Sequence, residues 1–290
     1  MRCGAAVTPF ASVMALLLLS ISTSGRAMDL QLAGKTALIT GSTAGIGYAT
    51  AKRLLSEGAQ VIINGRTQAS VDRAATSLAA ATGHRPLEFA GDMSKAQDIE
   101  RMARAFPRVD ILVNNVGRFI PKDFEKATDQ DWYDTFDLNV MSGVRLSRDY
   151  LPGMRARNWG RIIFISSESA LQIPVESIAY GMSKAAEIAV ARGLAESVAR
   201  TGITVNSILP GPTLDPNDPR FAARIKQPGA ASFAEMQRRF FKTQRPTSLI
   251  QRFERPDEIA TLVAYVASPL SSGTTGAALR VDGGVVKSAF

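Results

Sequence analysis

The 290-residue sequence predicts an α/β fold, a single doubly wound domain whose parallel sheet of about seven strands carries helices on both faces. Three observations point there. Short runs rich in Val and Ile recur along the chain and are apolar throughout, as strands buried on both faces are. Between them lie longer stretches of helical periodicity, and regular strand–helix alternation makes a parallel sheet. The third is the connection after the first strand, where Gly41, Gly45 and Gly47 fall within seven residues.

Strands are expected at Lys35–Thr40, Val61–Asn64, Leu87–Ala90, Ile111–Asn114, Arg161–Ile165, Thr204–Leu209 and Ala278–Val281. The longest helical patterns cover Asp129–Arg157 and Ser177–Thr201. The first strand runs into Gly41-Ser42-Thr43-Ala44-Gly45-Ile46-Gly47 and then a helical pattern from Tyr48 to Glu57. Strand, glycine turn and helix in this order form a dinucleotide-binding unit. Glycines let the backbone approach a pyrophosphate, and the helix amino terminus supplies free N–H groups and a positive dipole end. The fifth strand delivers Ser167 at its carboxyl end, and Tyr180 follows thirteen residues later. Lys184, four residues beyond Tyr180, shares its helix face. A phenol ordinarily titrates near about 10. A neighbouring ammonium favours the phenolate, so Lys184 is expected to pull Tyr180 toward the working range.

The set Thr40-Gly41-x-x-x-Gly45-x-Gly47, Asn114-Asn115-Val116-Gly117, Asn139, Ser167 and Tyr180-x-x-x-Lys184 resembles the motifs of the short-chain dehydrogenase/reductase family. Pro210-Gly211-Pro212-Thr213 and Arg280-Val281-Asp282-Gly283-Gly284 also match, so the likeness runs from about Leu32 to Gly284. It is strongest to the branch of 3-oxoacyl-carrier-protein reductases and small-carbonyl reductases, with Val116 standing where the family more often has Ala. The resemblance implies a Rossmann-type domain that transfers a hydride between NADP(H) and a carbonyl or alcohol substrate. It makes Tyr180 the general acid/base, and Ser167 the hydroxyl that holds the substrate carbonyl and stabilises the developing alkoxide. Lys184 would bind the nicotinamide ribose, and Asn139 would hold a water that completes a proton relay. The cofactor would lie on Gly41, Ser42, Thr43, Gly45, Ile46 and Gly47, with Asn115 and Gly117 on its adenosine side. Pro210, Gly211 and Thr213 would line its nicotinamide end, Thr213 holding the carboxamide. On spacing alone, Asn139 reads equally as an interior helix Asn making an ordinary polar contact. Asp92 matches the family's adenine acceptor, or serves as a helix cap ahead of Ser94.

Cofactor choice is argued from the end of the second strand. An NAD-selective site places a carboxylate there for the ribose 2′-hydroxyl. Here that position is Gly65, and Arg66 follows. A guanidinium grips a 2′-phosphate with charge-assisted bonds, so NADP(H) is expected to be preferred, with NAD(H) still admitted.

Residues 1–27 contain Arg2, an apolar run from Ala11 through Leu19 and Gly25-Arg26-Ala27. They read as a secretory signal, or as an upstream extension before a true start at Met28. The second reading is favoured, and with it a cytoplasmic enzyme, because an exported reductase would meet little nicotinamide cofactor. Cys3 is the only cysteine and His84 the only histidine, which argues against a disulfide, a thiol nucleophile, a metal centre and a Ser-His-Asp triad. A net charge of +8 without any nucleic-acid motif does not make a nucleic-acid binder. A substrate lid is expected from about Pro212 to Gln251, its apolar residues Phe233, Met236, Phe240 and Phe241 either closing over a hydrophobic substrate or docking the lid on the body, docking being favoured for most of them. Its basic residues, Arg220, Arg224, Lys226, Arg238, Arg239, Lys242 and Arg245, form either a solvated face or a recruitment patch for an acyl carrier protein or coenzyme A. Two alternatives accompany the general reading: a dedicated 3-oxoacyl-thioester reductase, and a non-catalytic NADP-binding sensor or scaffold. The resemblance also implies a homodimer or homotetramer.

Overall fold

The computed structural model describes residues 28–215 and 232–289, together with Met1 and Gly4. The rest of the expected leader and the middle of the expected lid, 216–231, lie outside the described residues. Seven strands form one parallel sheet in the order β3-β2-β1-β4-β5-β6-β7. They are β1 Thr36–Ile39, β2 Gln60–Gly65, β3 Leu87–Ala90, β4 Ile111–Asn114, β5 Gly160–Ile165, β6 Ile203–Pro210 and β7 Ala278–Val281. Every expected strand is present, its ends displaced by one residue at most. The chain winds outward from β1 to β3 and then returns to β4 beside β1, leaving a crevice at the carboxyl ends of β1 and β4.

The period-two alternation of the strands explains why both faces are apolar. Ala37 and Ile39, Val61 and Ile63, Ile111 and Val113, and Ile163 and Ile165 point to one side. There they meet α1 (Gly45–Ser56), α2 (Gln68–Thr82) and α8 (Pro256–Ala267) through Leu54, Leu78 and Val263. Leu38, Ile62, Leu112, Ile162 and Phe164 point the other way. They pack on α3 (Ala96–Ala105), α5 (Ser142–Ala156) and α6 (Ile178–Ser197) through Met102, Leu146 and Ala191. Each such aliphatic side chain contributes about 1.5–3 kcal/mol by burial, which fixes the strand ends where the site is built.

The long helix expected over Asp129–Arg157 is not continuous. It divides into α4 (Asp129–Phe136) and α5, joined by a π turn at Asp137–Met141 that contains Asn139. A π turn adds one residue to the coil while the apolar stripe continues, so periodicity does not register it. On helix α7 (Phe233–Thr243), Met236 and Phe241 bury with Leu214 and Phe253 in a cluster apart from the two sheet-face cores, Phe240 packs against them, and Phe233 is exposed. Near the carboxyl terminus, Val285 is fully buried. No helix among the described residues is long and apolar enough to cross a membrane.

Candidate functional site

The glycine turn is held open by side chains beneath it. Thr40 Oγ1 accepts from the Asn115 amide at 2.9 Å and the Val116 amide at 3.0 Å. Asn115 Nδ2 donates to the carbonyls of Thr40 and Gly41, at 2.8 and 3.2 Å. Asn64 Oδ1 accepts from the Gly41 amide at 3.1 Å. Ser42 Oγ donates to the Ile39 carbonyl and accepts from the Asn64 amide. The fully buried Ser42 hydroxyl and the Asn115 side-chain amide thus both brace the turn's own backbone, while Asn115 also lines the cavity above it. Thr40, the first residue of the glycine motif, and Asn64, which the motif does not include, carry the same brace.

What remains open is backbone. Gly41 and Gly45 have φ of 61° and 56°, a region that glycine enters without strain. A Cβ on Gly47 would lie 2.5 Å from Asn115 Nδ2 and 2.6 Å from the Gly41 carbonyl oxygen. Ala44, at the N-cap of α1, gives no side-chain cap, so the first-turn N–H groups are left to a ligand. Gly45, Ile46 and Gly47 line a cavity of about 400 Å³. Glycine close approach and an uncapped helix start are what a dinucleotide pyrophosphate requires, and these residues fit it. Ser167, Tyr180, Lys184, Pro210, Gly211 and Thr213 line the same cavity. A second cavity of about 510 Å³ shares Gly41, Val116 and Gly117 with the first. It continues past Thr43, Gly65, Arg66 and Asp92.

Ser167 arrives from the end of β5, Tyr180 from the first turn of α6, and Lys184 one turn later. Ser167 Oγ accepts from the Ser169 amide at 3.1 Å. Lys184 Nζ lies 5.7 Å from the centre of the Tyr180 ring. It donates to the Ile165 carbonyl at 2.9 Å and to both oxygens of the Glu187 carboxylate, at 2.9 and 3.1 Å. Phe119 stands edge-on to the Tyr180 ring with centroids 5.1 Å apart. Phe119 also lines the cavity. Asn139 Oδ1 accepts from the Arg118 amide, while its Nδ2 donates to the Arg118 carbonyl and Ser183 Oγ. A Cβ on Gly117 would sit 3.2 Å from Lys184 Nζ and 3.7 Å from Asn139 Oδ1, so the three meet at that glycine.

Burial pushes the Tyr180 phenol above its ordinary pKa. Lys184 and a hydrogen bond from Ser167 pull it down, while Glu187 and Glu168 oppose them. The net direction is upward, which corrects the expected lowering. Glu187, absent from the sequence expectation, sits between the ammonium and its full effect. It is visible in the sequence only as an acid three residues after Lys184, on the same helix face.

At the far end, Gly65 closes β2, and a Cβ there would lie 2.5 Å from Thr43 Cγ2. A carboxylate at this position would therefore have to displace the Thr43 side chain. Arg66 is exposed at the rim of the second cavity, near Asp92. Asp92 is not a helix cap, since α3 begins at Ala96 after Lys95. Its Oδ1 instead accepts from the Ser94 amide and hydroxyl, at 3.0 and 2.9 Å. Burial works against the Asp92 carboxylate, but these bonds and the charges of Lys95 and Arg66 hold it below its ordinary value.

On the nicotinamide side, Thr213 Oγ1 donates to the Gly211 carbonyl at 3.0 Å. The Gly211 amide donates to Glu254 Oε2 at 3.0 Å. Burial raises the Glu254 carboxyl to about 7, and Asp282 adds to the rise. The folded protein therefore favours protonated Glu254. Its stabilisation is complete below about pH 4.5 and is lost as pH rises through about 7, a change on the order of 3 kcal/mol. Glu254→Gln keeps an acceptor for Gly211 and mimics the protonated acid. Its urea midpoint should match the parent near about pH 4.5 and exceed it near about pH 8. Parallel stability profiles across that range would refute the assignment. The basic lid is partly neutralised: Arg239 pairs with Glu235, and Arg245 Nε donates to Glu168 Oε1 at 2.8 Å.

Known proteins agree with this geometry. The family model for the short chain dehydrogenase matches residues 35–223, and the chain belongs to that family. An uncharacterized oxidoreductase of Bacillus subtilis, YvaG, is 43% identical over 264 residues, covering 91% of this chain and 100% of its own. The 3-oxoacyl-[acyl-carrier-protein] reductase of Aquifex aeolicus is 30% identical, over 89% of this chain and all of its own. L-sorbose reductase from Gluconobacter frateurii, solved with NADPH and L-sorbose, has a TM-score of 0.82 at 34% identity, covering 90% of this chain and 100% of its own. The protein is an NAD(P)-dependent oxidoreductase acting between carbonyl and alcohol.

Proposed function

We propose that the protein is an NADP-preferring carbonyl reductase in which Tyr180 is the proton donor. The observation that carries this reading is the meeting of Ser167, Tyr180 and Lys184 in one cavity with an uncapped helix start and its glycine turn. The bound nicotinamide supplies the hydride. Ser167 donates a hydrogen bond to the substrate oxygen and stabilises the charge that develops there. Tyr180 delivers the proton to that oxygen, and Lys184 stabilises the phenolate left behind. The side chain of Asn139 is spent on Arg118 and Ser183, so it shapes the site as a brace.

NADP preference rests on Gly65 and Arg66. The absent carboxylate removes repulsion of a 2′-phosphate, and the guanidinium supplies its partner. Titration of NADPH and NADH side by side tests it. Arg66→Ala should weaken NADPH roughly 10–100-fold, the value of a charge-assisted bond of about 1.5–3 kcal/mol, and leave NADH within about twofold. Equal losses for both nucleotides, or parent affinity that is tighter for NADH, would overturn the preference while leaving the reaction class in place.

A further inference from the structure

The least expected group near the reacting residues is Glu187. Only about 2% of it is exposed, and Lys184 is 3% exposed. Its carboxylate takes two of the ammonium's hydrogen bonds, and the Ile165 carbonyl takes a third. An ammonium has three donors, so the set is complete before any ribose arrives. Binding to a ribose therefore requires Lys184 to release or share a bond that Glu187 now holds.

We propose that Glu187 is a positioning residue for hydride transfer: its carboxylate clamps the Lys184 ammonium and offsets part of its charge, so the charge on Glu187 sets how strongly Lys184 favours the Tyr180 phenolate. The inference rests on the reading of Tyr180 as proton donor given above. Ionised Glu187 holds the phenol protonated, the form needed to reduce a carbonyl. Protonated Glu187 leaves Lys184 with its full charge and releases the phenol's proton more readily. Burial raises the Glu187 carboxyl to about 7 against the pull of Lys184.

Other charges around α6 do not duplicate this control. Glu168, from the turn after β5, also opposes the phenolate but is bound to Arg245. On α4 and the π turn, Asp131 is paired with Lys122 and Asp137 with Arg145. Glu187 alone among these acids bonds Lys184 directly.

The test follows the ionisation of Tyr180 in full-length protein labelled at the tyrosine ring carbon bearing the hydroxyl. The chain has five tyrosines, so the Tyr180 resonance is assigned by its absence in Tyr180→Phe. In Glu187→Gln the Tyr180 resonance should titrate at lower pH than in the parent, and Glu187→Asp should return it toward the parent. The parent itself should show a small step in the Tyr180 shift where the Glu187 carboxyl titrates, which decides the matter even if the Gln variant does not fold. With NADPH and a ketone, the alkaline limb of the reduction rate should also move to lower pH in Glu187→Gln. An unmoved or upward Tyr180 titration, or a parent trace without the step, would sink the proposal. The resonances are read without nucleotide or substrate, so this result stands apart from the turnover of Tyr180→Phe, which tests the parent reading.

Discussion

Tyr180→Phe should lower turnover by about 10²–10⁴-fold, the usual worth of a positioned general acid, while nucleotide affinity stays within about twofold. The substitution removes one hydroxyl and little else. The edge contact with Phe119 uses the ring, which Phe retains. Lys184 keeps its bonds to the Ile165 carbonyl and to Glu187, none of which involves the phenol. Ser167 keeps the bond from the Ser169 amide that orients its hydroxyl. Hydride transfer would then lack only its proton donor. Stopped-flow binding and steady-state ketone reduction with NADPH separate the two effects. Retained turnover would remove Tyr180 from the chemistry. Loss of binding and turnover together would make the residue structural. The sensor alternative makes the opposite forecast, that output persists as long as nucleotide binds.

The features legible in the sequence share one property: they are local. Strand positions could be read because Leu38, Ile62 and Leu112 alternate with equally apolar neighbours, a pattern that survives without knowledge of partners. Ser167, Tyr180 and Lys184 were legible because a strand end and one helix face bring them together within eighteen residues. Longer-range contacts were not. Ser42 and Asn115 lie in cofactor motifs, yet their polar atoms are taken by backbone contributed from Ile39, Asn64, Thr40 and Gly41. The π turn escaped because the apolar stripe continues through it. The upward shift of Tyr180 escaped because desolvation depends on what surrounds a side chain, which spacing does not encode. The pairing of Glu187 with Lys184 follows helical geometry, but its burial follows from how α6 lies against β5 and β6.

Arg245→Ala should cost about 3–5 kcal/mol, because it leaves the Glu168 carboxylate buried without its cation. Glu168 is 3% exposed, and it directly follows Ser167 in the chain. Arg245 lies just beyond α7, so the pair ties the lid segment to the strand end that carries Ser167. Burial already raises the Glu168 carboxyl, and Arg245 is the largest influence holding it down. Without Arg245 its pKa rises further, the folded state favours the protonated acid, and the deficit of the variant shrinks as pH falls. An exposed ion pair would behave differently, costing less than about 1 kcal/mol and weakening with salt. Replacing both partners, as in Glu168→Met with Arg245→Leu, removes the stranded charge along with the bond. Stability should then recover most of the single-variant loss. Urea denaturation of the parent, both single variants and the double variant closes the cycle. Additive losses would show that the two side chains act independently, whereas recovery in the double variant would identify the bond as the anchor that holds α7 over Ser167.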